Sequence, residues 1–209
     1  MQHRTHRNLA LVAVLATAGS AAGQSATVTF DGLTPGSQFG NAFGDSPGDQ
    51  LLIEDGVVVT LENYTQGAFT GFNSATAHTD PVAQAISNDA IRLSNLSLLF
   101  DYSGVGFQVT QVTFDYADFG GGENLGVNGS IVELNLLSSA PATIGGVNVF
   151  VNEGPLGNNV GGTVTLTGNI QSVLLGGQEF AIDNVRAIPT PGALAGLGVL
   201  GLAATRRRR

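Results

Sequence analysis

Three acids fall close together in FDYADFGGGEN, namely Asp115, Asp118 and Glu123. Paired carboxylates are what glycoside hydrolysis requires, one to protonate the leaving group and the other to act as base or nucleophile. In a strand, residues three apart point to opposite faces, so Asp115 and Asp118 are poorly placed to act together. A solvated acidic edge beside a glycine loop is the simpler account. GDSPG, residues 44–48, matches the G-x-S-x-G pattern that lifts a nucleophilic serine on a strand-to-helix turn. No α/β pattern surrounds it, however, and Pro47 removes the backbone N–H that an oxyanion hole would use. Past the first 23 residues His78 is the one histidine, so general-base chemistry has a single imidazole to draw on. The expectation is a protein without enzymatic activity.

A second group of residues suits binding. From Tyr64 to Ala90 the chain is polar and small, with Tyr64, Phe69 and Phe72 interspersed, and reads as one long loop. Aromatic rings beside Asn73 and Asp80 could stack on a sugar ring and hydrogen-bond its hydroxyls. The plainer alternative is that these rings pin the loop to the edge of the domain.

The elements that must hold such residues are strands. GVVVTLENY puts Val57, Val59 and Leu61 on one face, GTVTLTG sets Val164 and Leu166 against three threonines, and GVNVFVN aligns Val147, Val149 and Val151. ATVTF and SIVELNLL repeat the pattern, and glycines bound the runs. Period-two alternation of this kind means strands with one buried face. Two longer runs change phase: FQVTQVTFDY near Thr110 and Gln111, which predicts a bulge or bend, and IRLSNLSLLF at Ser94 and Asn95. Asn128-Gly129 suits a type I′ hairpin turn. TDPVAQAIS, residues 79–87, has the chemistry for one or two helical turns, and no longer helical period is present. Nine or ten short strands predict an all-β domain, an antiparallel β-sandwich wound as a jelly roll, over residues 24–188.

Composition narrows the partners. There is no cysteine, which excludes disulfides and thiolate metal sites. Between the two ends only Arg92 and Arg186 stand against all sixteen acids, a net charge of −14. Such a body repels nucleic acid and anionic lipid and favours solubility in salt.

The two ends read as targeting segments. Arg4 and Arg7 precede the apolar run LALVAVLATA and then GSAAG, the form of a cleavable secretory signal peptide spanning residues 1–23. At the other end, Pro189-Thr190-Pro191 leads into a small-residue apolar stretch that stops at Arg206, Arg207, Arg208 and Arg209. The 14 residues from Gly192 to Thr205 would make a helix of about 21 Å, short of a comfortable span, with the arginines holding its end in the cytoplasm.

Residues 189–209 resemble a PEP-CTERM sorting signal, with Thr190 where the motif usually has glutamate. That resemblance implies a bacterial precursor whose tail is read by an exosortase-like enzyme, with the tail transiently or permanently in the inner membrane, and an association with extracellular polysaccharide. In the body, QEFAIDNVRAI resembles the closing strand of jelly-roll carbohydrate-binding modules. That likeness implies a structural calcium held by Asp183, with Asp31 of the FDG segment as a second ligand; hard oxygen donors are what calcium takes. Taken together, the expectation is an exported cell-surface or extracellular-matrix protein with a structural or adhesive role. A glycan-binding module and a secreted glycoside hydrolase are the alternatives.

Overall fold

The computed structural model describes residues 24–77 and 90–189. Apart from short 3₁₀ turns at Asn41–Phe43 and Leu137–Ser139, the regular elements in these residues are all strands. In chain order they are β1 (Ala26–Val28), β2 (Gln38–Phe39), β3 (Gln50–Glu54), β4 (Val57–Gln66), β5 (Phe69–Gly71), β6 (Ser74–Ala77), β7 (Ile91–Ser94) and β8 (Leu96–Asp101). They continue as β9 (Val109–Asp118), β10 (Glu123–Val127), β11 (Ser130–Leu134), β12 (Thr143–Ile144), β13 (Val147–Leu156), β14 (Asn159–Thr167), β15 (Ser172–Gly177) and β16 (Phe180–Pro189). The expected nine or ten strands undercount these, because pieces of two or three residues such as β2, β5 and β12 are too short to show a period.

The strands make two antiparallel sheets, as a β-sandwich requires. The larger runs β12-β13-β14-β9-β16-β7-β6-β2, with β1 sharing the edge of β16 beside β7, and the smaller runs β11-β10-β15-β8-β4-β3, with β5 on β4. Inward residues of both sheets merge into one core. Val112, Phe114, Val164, Leu166 and Ile182 of the larger sheet face Val59, Leu61, Leu98, Phe100 and Leu175 of the smaller, all essentially without solvent exposure. Each such side chain contributes roughly 1.5–3 kcal/mol of transfer free energy. Phe30 and Phe100 meet edge-on at 6.4 Å and join the chain after β1 to the smaller sheet. Glu54 strengthens the same seam by accepting hydrogen bonds from the backbone N–H and hydroxyl of Thr29, at 3.1 and 2.8 Å.

The phase changes are real and have different causes. At β9 the pairing with β16 slips between Gln111 and Val109, so Thr110 is the extra residue of a bulge. At Asn95, which has φ of 49°, the chain leaves the larger sheet for the smaller, so the slip there marks a corner. Asn128 and Gly129 take φ of 51° and 80° between Val127 and Ser130, the mirror-image hairpin turn their types favour. A further slip lies in β16 between Asp183 and Arg186, where Asn184 has φ of 52°.

The long loop expected from Tyr64 onward is overturned as far as Ala77. Tyr64 belongs to β4, Phe69 to β5, and Ser74–Ala77 forms β6. Small residues misled the reading: Ala75 and Ala77 are fully buried strand positions that lack the bulky alternation of a strand. The candidate helical turns lie outside the described residues.

Candidate functional site

Asp118 closes β9 in the larger sheet and Glu123 opens β10 in the smaller, and the turn Phe119–Gly122 brings them together between the sheets. They are not the solvated edge expected: Asp118 is 3% exposed and Glu123 1%. The packing explains this. At Gly122 a side chain would meet the Gln66 amide and the Tyr64 hydroxyl, so the turn lies directly against side chains of β4. No N–H or O–H donor reaches Oε2 of Glu123, and its carboxyl is hydrogen-bonded to that of Asp118. Two carboxyl groups share a hydrogen bond only when one keeps its proton. Burial first, then the charge and hydrogen bond of Asp118, then the charge of Glu153, push Glu123 up to about 8.

Around the pair, Glu153 of β13 accepts from the Tyr116 hydroxyl at 2.8 Å and from Ser138 Oγ at 2.9 Å. Asp118 accepts from the N–H of Gly120 at 2.8 Å. A cavity of about 270 Å³ opens beside Asp118, walled by Gly120, Gly121, Asn135, Leu136 and Asn158. Retaining glycosidase geometry sets two acids ~5 Å apart facing a bound sugar; here both carboxyls are almost without solvent exposure. The arrangement is that of two buried acids meeting where the two sheets join.

Asp115 is elsewhere. It points outward from β9, away from Asp118 as the strand period demands, and its two oxygens accept from Thr163 Oγ1 at 2.7 Å and Asn184 Nδ2 at 3.1 Å. Ser46 is exposed in an irregular turn, where Asp49 Oδ2 accepts its N–H at 2.7 Å; no strand-to-helix elbow is present. His78 and Asp80 lie outside the described residues.

The candidate glycan contacts do not form one surface. Tyr64 is fully buried, its hydroxyl donates to Gln66 Oε1 at 2.9 Å, and burial followed by the charges of Glu123 and Glu133 pushes it up to about 12. Phe72 packs half-buried against the core, Phe69 is 46% exposed against Tyr64 at 6.2 Å, and Asn73 is exposed. The rings therefore fasten β4 and β5 more than they offer a platform. For calcium, Asp31 stands exposed in the turn after β1 while Asp183 is buried in β16 beside its strand partner Asp115. Among the described residues no group of three or more His, Asp or Glu side chains is arranged to hold a metal. Pro189 ends β16 and is buried; Thr190, Pro191 and Arg206–Arg209 lie outside the described residues. Among the described residues no helix is long and apolar enough to cross a membrane.

A surface that was not singled out from the sequence is the outer face of the larger sheet. The register aligns Asn148, Thr167, Gln111 and Ile188 in one row, Phe150, Thr165, Thr113, Arg186 and Thr27 in the next, and Asn152, Thr163, Asp115 and Asp183 in a third. Phe150 is 67% exposed at the end of the middle row. The signal was present in GVNVFVN: Phe150 has the opposite phase to Val147, Val149 and Val151, so a bulky ring was bound to face water. No family model, curated protein or solved structure matches this chain.

Proposed function

We propose that the chain is an exported protein of a bacterial cell surface or extracellular matrix, with a structural or adhesive role. On this reading residues 1–23 are a signal peptide, the sandwich is wound as a jelly roll, and the PEP-CTERM-like tail from Pro189 is read by an exosortase-like enzyme. Support from the sequence comes from the two ends and from the acidic, cysteine-free body. The observation that carries the adhesive role is the outer face of the larger sheet: rows rich in hydroxyl and amide side chains with an exposed ring at one end. A surface of that kind acts by contact.

Intact-mass measurement on protein recovered from the native host's envelope and medium tests the reading. The mature chain is expected to begin near Gln24 and to lack Arg206–Arg209, with its new C-terminus between Pro189 and Gly192. A secreted pool that keeps all four arginines would overturn the sorting of the tail, and retention of the whole precursor in the cytoplasm would overturn export.

A further inference from the structure

Resting on the adhesive reading above, we infer that the outer face of the larger sheet, centred on Phe150 and Thr165, binds a neutral polysaccharide lying flat across β13, β14 and β9. The register fixes the layout. Neighbouring strands are ~4.8 Å apart and alternate residues on one strand ~6.8 Å, so the three rows form a plane of roughly 14 by 14 Å from β13 to β16. Around Phe150 the near positions are Asn148, Asn152 and Thr165, each able to donate and accept. An exposed ring flanked by such groups matches a pyranose, whose C–H face is apolar and whose rim carries hydroxyls.

Charge selects the kind of polymer. The plane holds Arg186 at one side and, in the row of Asp115, its strand partner Asp183, which is buried; the oxygens of Asp115 are already engaged by Thr163 and Asn184. The remaining outward groups named here are uncharged. The body as a whole carries −14, which repels a polyanion approaching from any side. An uncharged chain meets neither obstacle. A second copy of this protein is a poorer occupant, because two bodies of charge −14 must approach. One ring amid polar rows also supplies little of the apolar centre that a stable protein interface needs.

The test is native gel electrophoresis of the full chain in mild detergent, with hydroxyethyl cellulose, dextran or alginate cast into the gel. Retardation by at least one neutral polymer and none by alginate is expected. Phe150→Ala should weaken that retardation about tenfold and Thr165→Val about threefold. Ile53→Ala, which removes another exposed apolar side chain from the smaller sheet, should migrate as the wild type. Because Phe150 is exposed, its variant should keep the wild-type melting temperature, which separates lost binding from lost folding. Equal retardation of wild type and Phe150→Ala, no retardation by either neutral polymer, or stronger retardation by alginate would each overturn the proposal. So would a concentration-dependent oligomer abolished by Phe150→Ala, which would assign the face to self-association. None of these outcomes bears on export or tail processing, which the mass measurement decides separately.

Discussion

Glu123 shows how one side chain couples the fold to pH. Its folded pKa of about 8 lies above the ordinary 4.5, so between those values the folded protein holds a proton that the unfolded chain has released. Stability is therefore fully present below pH 4.5 and is lost as pH rises through about 8, by about 3–5 kcal/mol in total. Above that range a charged Glu123 would stand buried between the sheets, with Tyr64 and Tyr116 still protonated because burial raises both. Urea unfolding from pH 5 to pH 9 should show the midpoint falling steadily. Glu123→Gln, which keeps a neutral donor beside Asp118, should flatten that slope; an unchanged slope would mean that the pair does not share a proton. Asp118 and Glu123 were visible in the sequence as acids near glycines. Their contact was not, because it depends on which sheet each strand joins.

At the scale of the element, the turn between β12 and β13 shows why glycines recur. Gly145 and Gly146 both have positive φ, 57° and 77°. They differ in what surrounds them: a side chain on Gly145 would strike the Val127 carbonyl of β10, whereas nothing lies within 4 Å at Gly146. Gly146→Ala should cost ~1 kcal/mol, the conformational penalty alone. Gly145→Ala should cost at least ~2 kcal/mol more, because the contact that brings the hairpin of the larger sheet against the smaller must open. Equal losses in denaturant titrations would show that this approach is not rigid. The hairpin at Asn128-Gly129 and the bulge at Thr110 were legible beforehand, since local residue types and a local phase change encode them. The bulge at Asn184 was not singled out, although Ile182 and Val185 carry the same three-residue step.

For the molecule as a whole, charge is the term that composition sets most plainly. Sixteen acids and two arginines share the body, and self-repulsion opposes compaction. Raising sodium chloride from ~10 mM to ~0.5 M shortens the Debye length from about 30 Å to under 5 Å. The melting temperature of the full chain should rise by several degrees over that range at pH 6, where Glu123 keeps its proton. A flat or falling response would mean that the acids are compensated locally, as Asp115 is by Thr163 and Asn184.

By itself the sequence determined the all-β class, the inward faces of β4, β9, β13 and β14, the hairpin turn and the phase slips. Each of these depends on neighbours along the chain, and period two is a property of the backbone. Tertiary structure decided what lies across the chain: that Tyr64 is core, that Asp118 and Glu123 meet between sheets, and that Asp31 and Asp183 differ so sharply in burial. It also decided that β9 lies beside the β13–β14 hairpin, aligning Asn148, Phe150, Thr165 and Thr113 on one plane. Strand order and register are set by the packing of a shared core, and no local spacing specifies them.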